Sequence, residues 1–255
     1  MIWEELSSRQ LAQVDKRIPV LVNLSATEQH GNHLPLGTDR MIGNHFCQKL
    51  NVRIADQVLL LPNLALGYSR HHMDFPGTLS LSHETIIAQL EEITDSVFAH
   101  GFSKFVLFNS HGGNQGLGQV FIEKMGAKYP RGHFVMISWF RLAVNKLRQI
   151  SEAGPGGAGH GGEFETSLMM HIAPDLVDIE QISDKSNTTT FPWAEGDLFQ
   201  GGEASYYRSM KTMTPNGIFG DPRFASAEKG AEIERVVLDR LVEIVLDIWS
   251  ISRPG

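Results

Sequence analysis

A single cysteine, Cys47, stands in 255 residues. No disulfide can staple such a chain, nothing in it asks for an oxidising compartment, and any metal site must be built from nitrogen and oxygen ligands. Blocks of basic residues are missing as well, and the formal net charge is −7. That balance argues against nucleic acid or an anionic membrane surface as partner and favours small or uncharged ones. No stretch reaches the roughly 18 consecutive apolar residues of a membrane span. Met1-Ile2-Trp3-Glu4-Glu5 lacks the basic segment and apolar core of an export signal. A cytoplasmic protein is expected, with Cys47 a helix residue packed in the core.

What the chain does have is 42% hydrophobic residues, enough for a sizeable core. Four short runs rich in Val, Leu, Ile and Phe, at 19–24, 57–61, 104–109 and 133–139, read as buried strands because polar residues do not alternate within them. Strands of that kind belong in a parallel sheet covered on both faces, and helical spacing in the intervening segments 40–51, 82–99 and 114–128 supplies the cover. Ser82 is placed to cap the second of these. A last helix over 226–250 sets Ile233, Val236, Val237, Leu241, Ile244, Val245 and Ile248 on one face. Periodicity fails between 182 and 222, where Asn187 to Thr190, Gly201-Gly202 and Thr214 to Gly217 mark loops. The glycine-rich stretch 154–159 reads as a surface loop or a lid hinge. No repeat, linker or charge block divides the chain, so residues 1–255 are expected to form one α/β domain.

Three segments concentrate histidine and carboxylate, each padded with glycine. Glu28-Gln29-His30 follows the first strand, and Asp39 comes nine residues after His30 in Gly37-Thr38-Asp39. On an extended chain, residues two apart point to one side with Cα atoms about 6.5–7 Å apart, so Glu28 and His30 can reach adjacent points of one pocket. Asn109-Ser110-His111-Gly112-Gly113-Asn114 follows the third strand. The third segment is Gly159-His160-Gly161-Gly162-Glu163-Phe164-Glu165-Thr166-Ser167. In open parallel sheets ligands bind beyond the carboxyl ends of strands, where two of these segments lie.

If Glu28, His30, Asp39, His111 and one glutamate of the third segment converge, three carboxylates, two neutral imidazoles and a bridging hydroxide balance two divalent cations. Asp39 is the natural bridge. Two such ions activate a shared water and polarise a carbonyl, which is hydrolytic chemistry. Nitrogen and oxygen donors suit Zn, Mn or Fe(II). His160 is then free to shuttle a proton to a departing nitrogen. Glu163 and Glu165 compete for the ligand role, since on a helix start they face different directions.

Taken together, Glu28-Gln29-His30-Gly31, Gly37-Thr38-Asp39, His111-Gly112-Gly113-Asn114 and His160-Gly161-Gly162-Glu163-Phe164-Glu165-Thr166-Ser167 resemble the creatininase (creatinine amidohydrolase) family. Two further stretches, 67–78 and 217–222, are also similar to it, and the likeness runs from about residue 19 to 232. The resemblance implies a three-layer α/β/α fold with a mostly parallel central sheet, two divalent metal ions per subunit, a small-molecule amide substrate and homohexamers. It implies that Glu28 and His111 hold one ion, His30 and Glu165 the other, that Asp39 bridges them, and that His160 is the acid/base histidine. Ser69 and His72 would lie near the substrate, and Trp193, with Tyr206, Tyr207 and Trp139, could line its pocket, although Trp139 equally suits the core. One position departs from creatininase proper, which resembles His-Tyr-Glu-Asn where this chain has His111-Gly112-Gly113-Asn114. Glycine can neither ligate nor carry a proton. The expected activity is hydrolysis of a non-peptide carbon–nitrogen bond in a cyclic amide or formamide. The alternatives are a metallopeptidase trimming a short peptide, such as a redox-cofactor precursor, and a non-catalytic assembly protein stabilised by metal.

Overall fold

A computed structural model describes residues 1–154, 156–157, 159–196 and 202–252. Of the segments read as loops, Pro155 and Ala158 of the glycine-rich stretch and Gly201 lie outside these. Helices α1 (Ser8–Gln13), α2 (Thr38–Arg53), α3 (His83–Ala99), α4 (Gln115–Lys128), α5 (Val144–Ile150), α6 (Glu163–Ile172), α7 (Met210–Met213) and α8 (Ala227–Ser250) accompany strands β1 (Val20–Leu24), β2 (Leu59–Leu60), β3 (Lys104–Asn109) and β4 (His133–Ser138). The strands pair in the order β2-β1-β3-β4 and every pairing is parallel.

Both faces of β1, β2 and β3 are buried, which is why their sequences show no polar alternation. Strand β4, expected to be buried throughout, is half-buried along its first four residues because it lies at the edge of the sheet. Val20, Val22, Leu24, Phe105 and Leu107 point into one core with Leu90 and Val97 of α3 and Leu117 and Phe121 of α4. Leu21, Val106, Phe108 and Ile137 point into the other, against Phe46 of α2, Leu168 of α6 and Val237 of α8. The result is the three-layer α/β/α arrangement expected from the sequence.

Helix boundaries follow local chemistry. The Ser82 side chain accepts from the Thr85 N–H at 3.2 Å and opens α3, and Ser226 does the same for Lys229 at the start of α8. At the other end of α8, the buried Lys104 ammonium donates to the carbonyls of Trp249 and Ile251, both at 2.7 Å, where a cation complements the helix terminus. Gly43 lies where α2 crosses the sheet, and a Cβ there would collide with the Asn23 and Ser110 side chains. That close approach is what holds the first turn of α2, with Asp39, above the ends of β1 and β3.

Two readings from sequence shift in extent, and helix α5 is new. The run 57–61 shortens to Leu59–Leu60, because Ala55–Gln57 forms a 3-10 turn; among the described residues β2 pairs with β1 on one side and meets the chain only through a single bridge, Ile2 to Leu60, on the other. Trp139 leaves β4 to begin a 3-10 turn, and its ring stacks on Phe46 in the core with centroids 6.1 Å apart. Helix α5 is not anticipated from the sequence, because seven residues are too few to show a helical period.

Candidate metal centre

The chain leaves β1 toward β2 on one side and β3 on the other, so the switch point of the sheet falls between β1 and β3. A crevice forms beyond the carboxyl ends of strands at such a point. Glu28 and His30 come from the segment after β1, His111 from the end of β3, Asp39 from the first turn of α2 and Glu165 from the first turn of α6. Carboxylates at those two helix starts meet the positive end of the helix dipole.

All five side chains are buried. Asp39 divides its oxygens between two histidines: Oδ1 is 3.4 Å from His30 Nε2, and Oδ2 is 3.2 Å from His111 Nδ1. Glu28 Oε1 stands 3.2 Å from His111 Nδ1, and Glu165 Oε2 stands 3.6 Å from His30 Nε2. Despite these distances, both oxygens of Glu28, Oδ2 of Asp39 and Nε2 of His30 have no hydrogen-bond partner among the described residues. Buried acceptors left unpaired cost on the order of 1–3 kcal/mol each, so their convergence suits positive charge placed among them. Nitrogen and carboxylate oxygen donors in this number fit a pair of divalent ions. Every ion pair of Glu28, Asp39 and Glu165 is with histidine, and neither lysine nor arginine closes the space among the described residues.

The backbone selects which nitrogen of each histidine faces inward. His30 donates from Nδ1 to the Glu28 carbonyl at 3.0 Å, leaving Nε2 toward Asp39 and Glu165. His111 donates from Nε2 to the Tyr68 carbonyl at 2.9 Å, leaving Nδ1 toward Glu28 and Asp39. Contacts of this kind orient a ligand ring. His160 donates from Nε2 to the Gln29 carbonyl at 2.5 Å, and its Nδ1 faces Glu28 Oε1 at 3.4 Å.

Electrostatics follow from burial and from these neighbours. Burial lowers the pKa of His30, but Asp39, Glu165 and Glu28 outweigh it and raise the value to about 9. His111 is likewise penalised by burial yet lifted well above the usual histidine range by Glu28 and Asp39. For Glu165, burial dominates and raises the carboxyl to about 7. Burial, then His30 and His72, hold His160 well below the ordinary value, and His72 falls to about 3 through burial in spite of Glu28. A pocket that draws protons onto His30 and His111 has the negative potential that draws divalent cations in their place.

Glu163 is occupied elsewhere. Its carboxylate accepts from Ser151 Oγ at 2.7 Å, from the N–H groups of Glu152 and Ala153, and from the Lys229 ammonium. Glu165 is the glutamate turned toward His30, and it also accepts from the Gly161 N–H at 2.6 Å. His72 and Ser69 reach the same pocket: His72 Nε2 is 3.4 Å from Glu28 Oε1, and Ser69 Oγ is 3.4 Å from His111 Nε2. Trp193 stands apart, 39% exposed, in a patch with Phe191 and Tyr206. Nothing among the described residues ties it to the cluster.

Two features escaped the sequence. Gln29, between two proposed ligands, is 5% exposed, and its side chain meets His72, His160, Gly217 and Gly31; alternation along an extended chain would point it away from them. A second trio, His45, His171 and Glu234 on α2, α6 and α8, also gathers ligand-type atoms. It differs in kind from the first. Glu234 Oε2 accepts from both histidines at 2.5 and 3.0 Å and Oε1 pairs with Lys49 at 3.2 Å, so no acceptor there is left over.

An α/β scaffold carrying a buried histidine and carboxylate cluster at its switch point defines a metallohydrolase-like architecture. The family model described as Creatininase: Creatinine amidohydrolase matches residues 4–245, and the chain belongs to that family. It is 30% identical over 253 residues to the mycofactocin precursor peptide peptidase of Mycobacterium ulcerans, covering 93% of this chain and 89% of the relative. It is 28% identical to the creatinine amidohydrolase of Pseudomonas putida (96% and 94%) and 26% identical to the 3-dehydro-scyllo-inosose hydrolase of Thermotoga maritima (91% and 78%). Among solved structures, a creatininase described as the Mn form superposes with TM-score 0.82 at 25% identity, over 98% of this chain and 99% of that one. A mutant creatininase of Zn-Zn type gives 0.81 at 25% identity, over 98% of both chains. A mutant creatininase complexed with creatine gives 0.82 at 25% identity, over 98% and 99%.

Proposed function

We propose that this chain is a two-metal hydrolase that cleaves a carbon–nitrogen bond of a small cyclic amide or formamide. The observation that carries the reading is the set of buried, unpaired acceptors on Glu28, His30 and Asp39, because groups so costly to leave unsatisfied call for cations between them. Glu28, His111 and Asp39 would hold one ion, and His30, Glu165 and Asp39 the second. Zn or Mn fits these donors, as does Fe(II). When bound, such ions supply an activated water and polarise the substrate carbonyl.

The residues divide the remaining work. His160 keeps its proton on Nε2 against the Gln29 carbonyl, so Nδ1 presents a lone pair to the pocket. It takes a proton from the attacking water and delivers it to the departing nitrogen, the two halves of general acid–base catalysis. Ser69 and His72 line the pocket on the side of Glu28 and contact the substrate.

Gly113 separates this site from one built for creatinine. A Cβ at that position would collide with the Tyr68 carbonyl and the His111 ring, so main chain fills the place of a carboxylate. Ring opening of creatinine is therefore not the favoured reaction. A peptide substrate is the second reading, favoured by the relative named as a precursor peptide peptidase and by an open cavity of about 450 Å³ lined by Lys185, Thr188, Arg208 and Phe219. This cavity adjoins the His160 loop through the Phe219 N–H, which donates to the His160 carbonyl.

Metal analysis of the purified protein, joined to a screen of formamides, cyclic imides, creatinine and short peptides, tests the proposal. Two equivalents of metal per chain and chelator-sensitive release of an amine are expected. A metal-free protein that cannot be loaded, or a loaded one that hydrolyses none of these, overturns it.

A further inference from the structure

His72 and His160 flank Glu28 Oε1 from two sides, each with a ring nitrogen at 3.4 Å, and their rings lie 4.3 Å apart. Gln29 touches both. Its side-chain oxygen accepts from the Gly31 N–H at 2.9 Å, and its amide nitrogen donates to the Gly217 carbonyl at 3.0 Å. Main-chain groups of fixed polarity at both ends leave the amide one orientation. Two ring nitrogens lie in reach of the second amide hydrogen, His72 Nδ1 at 2.8 Å and His160 Nε2 at 3.3 Å. The latter is spent on the Gln29 carbonyl at 2.5 Å, so the hydrogen goes to His72 Nδ1. A neutral imidazole that accepts at Nδ1 carries its proton on Nε2.

The main-chain carbonyl of the same residue has the opposite effect on the neighbour. At 2.5 Å from His160 Nε2 it can only accept, so that ring carries its proton on Nε2 and turns a lone pair at Nδ1 toward the pocket. One residue thus sets two adjacent histidines in complementary roles at the same carboxylate oxygen. Glu28 Oε1 has no partner in hydrogen-bond geometry among the described residues, so the His72 Nε2–H is not consumed by it and stays available to a third atom.

We propose that Gln29 is a positioning residue that holds His72 as a fixed hydrogen-bond donor to a substrate oxygen, opposite His160 as acceptor, and so excludes His72 from the metal-ligand set. The inference rests on the hydrolase reading only for the word substrate; the tautomers themselves follow from the hydrogen bonds. Gly217 belongs to the device, because φ is +81° there and a Cβ would strike the Gln29 amide.

The tautomers can be read directly in metal-free protein labelled with 15N-histidine, at pH 7.5, from long-range proton–nitrogen correlations. The signal absent from H72Q identifies His72. A protonated Nε2 on both His72 and His160 is expected in the wild type. In Q29E the side chain accepts where it had donated, which moves the His72 proton to Nδ1 and leaves His160 as it was, since the Gln29 carbonyl remains. A second arm uses zinc: H72A and H72Q should bind as many equivalents as the wild type. With the best substrate of the screen above, H72A should lose about 100-fold in kcat, the scale of one removed oxyanion donor. H72Q should recover at least tenfold of that loss through its amide N–H. Protonated Nδ1 on His72 in the wild type, or loss of a zinc equivalent in H72A, overturns the inference. Failure of the wild type to bind metal or hydrolyse anything sinks the function proposed above, while the tautomer pattern in metal-free protein still decides this one.

Discussion

His30 gives its Nδ1 proton to the main-chain carbonyl of Glu28, two residues earlier, across 3.0 Å. A single turn of chain thus presents the Glu28 carboxylate and the His30 Nε2 to one buried space while its own carbonyl fixes which imidazole nitrogen faces there. Metal-ligating histidines are commonly held by such a donation from the other ring nitrogen. The same logic recurs at His111 through the Tyr68 carbonyl.

If Asp39 bridges two ions, Asp39→Asn removes the charge that both share. The variant is expected to retain fewer than two equivalents of metal and to lose hydrolysis by about 1000-fold or more, with circular dichroism unchanged. Two equivalents still bound would refute the bridging assignment.

The two glutamates of α6 should respond differently. Glu163→Gln breaks a buried pair with Lys229 and is expected to cost about 3 kcal/mol in denaturant unfolding while the metal content holds. Glu165→Gln should do the reverse, shedding one equivalent with little change in the stability of the metal-free protein. Swapped outcomes would reassign the ligand.

Metal-free protein should be most stable near pH 6.5 and weaken on both sides. His30 titrates near 9 in the fold against 6.5 unfolded, so its contribution is complete below 6.5 and is lost as pH rises through 9. His33, His71 and His72 have values of about 4, 4 and 3; the unfolded chain binds their protons first, and stability falls as pH drops below 6.5. Denaturant midpoints at pH 5, 6.5 and 9 check this. Added zinc should abolish the alkaline loss, because it replaces the proton on His30.

Gly113→Glu would restore the side chain of creatininase proper in name only. The Tyr68 carbonyl and the His111 ring occupy its space, so the variant is expected to lose about 1–3 kcal/mol of stability, as overpacked sites do. It should bind metal more weakly than the wild type and gain no creatinine hydrolysis. Thermal melts and metal titration follow both effects.

The buried strands and the long helices could be read along the chain because each declares itself locally: unbroken apolar runs at 104–109, a serine cap at Ser82, a seven-residue stripe on α8. The candidate ligands were legible for the same reason, being rare residue types packed with glycine at strand ends. Distant contacts carried no such signal. That Glu163 is taken by Lys229, 66 residues away, and Glu165 is not, depends on how α6 lies against α8. That Trp139 fills the core, while Trp193 joins Phe191 at the surface, depends on where the chain goes after β4. The proton position on His72 depends on Gly217 meeting Gln29 across 188 residues. Local composition sets which groups are present and how the backbone near them bends, since those are short-range steric and capping effects. Which of those groups face one another, and which nitrogen or oxygen each presents, arises from packing between segments remote in sequence, where no periodic pattern records the encounter.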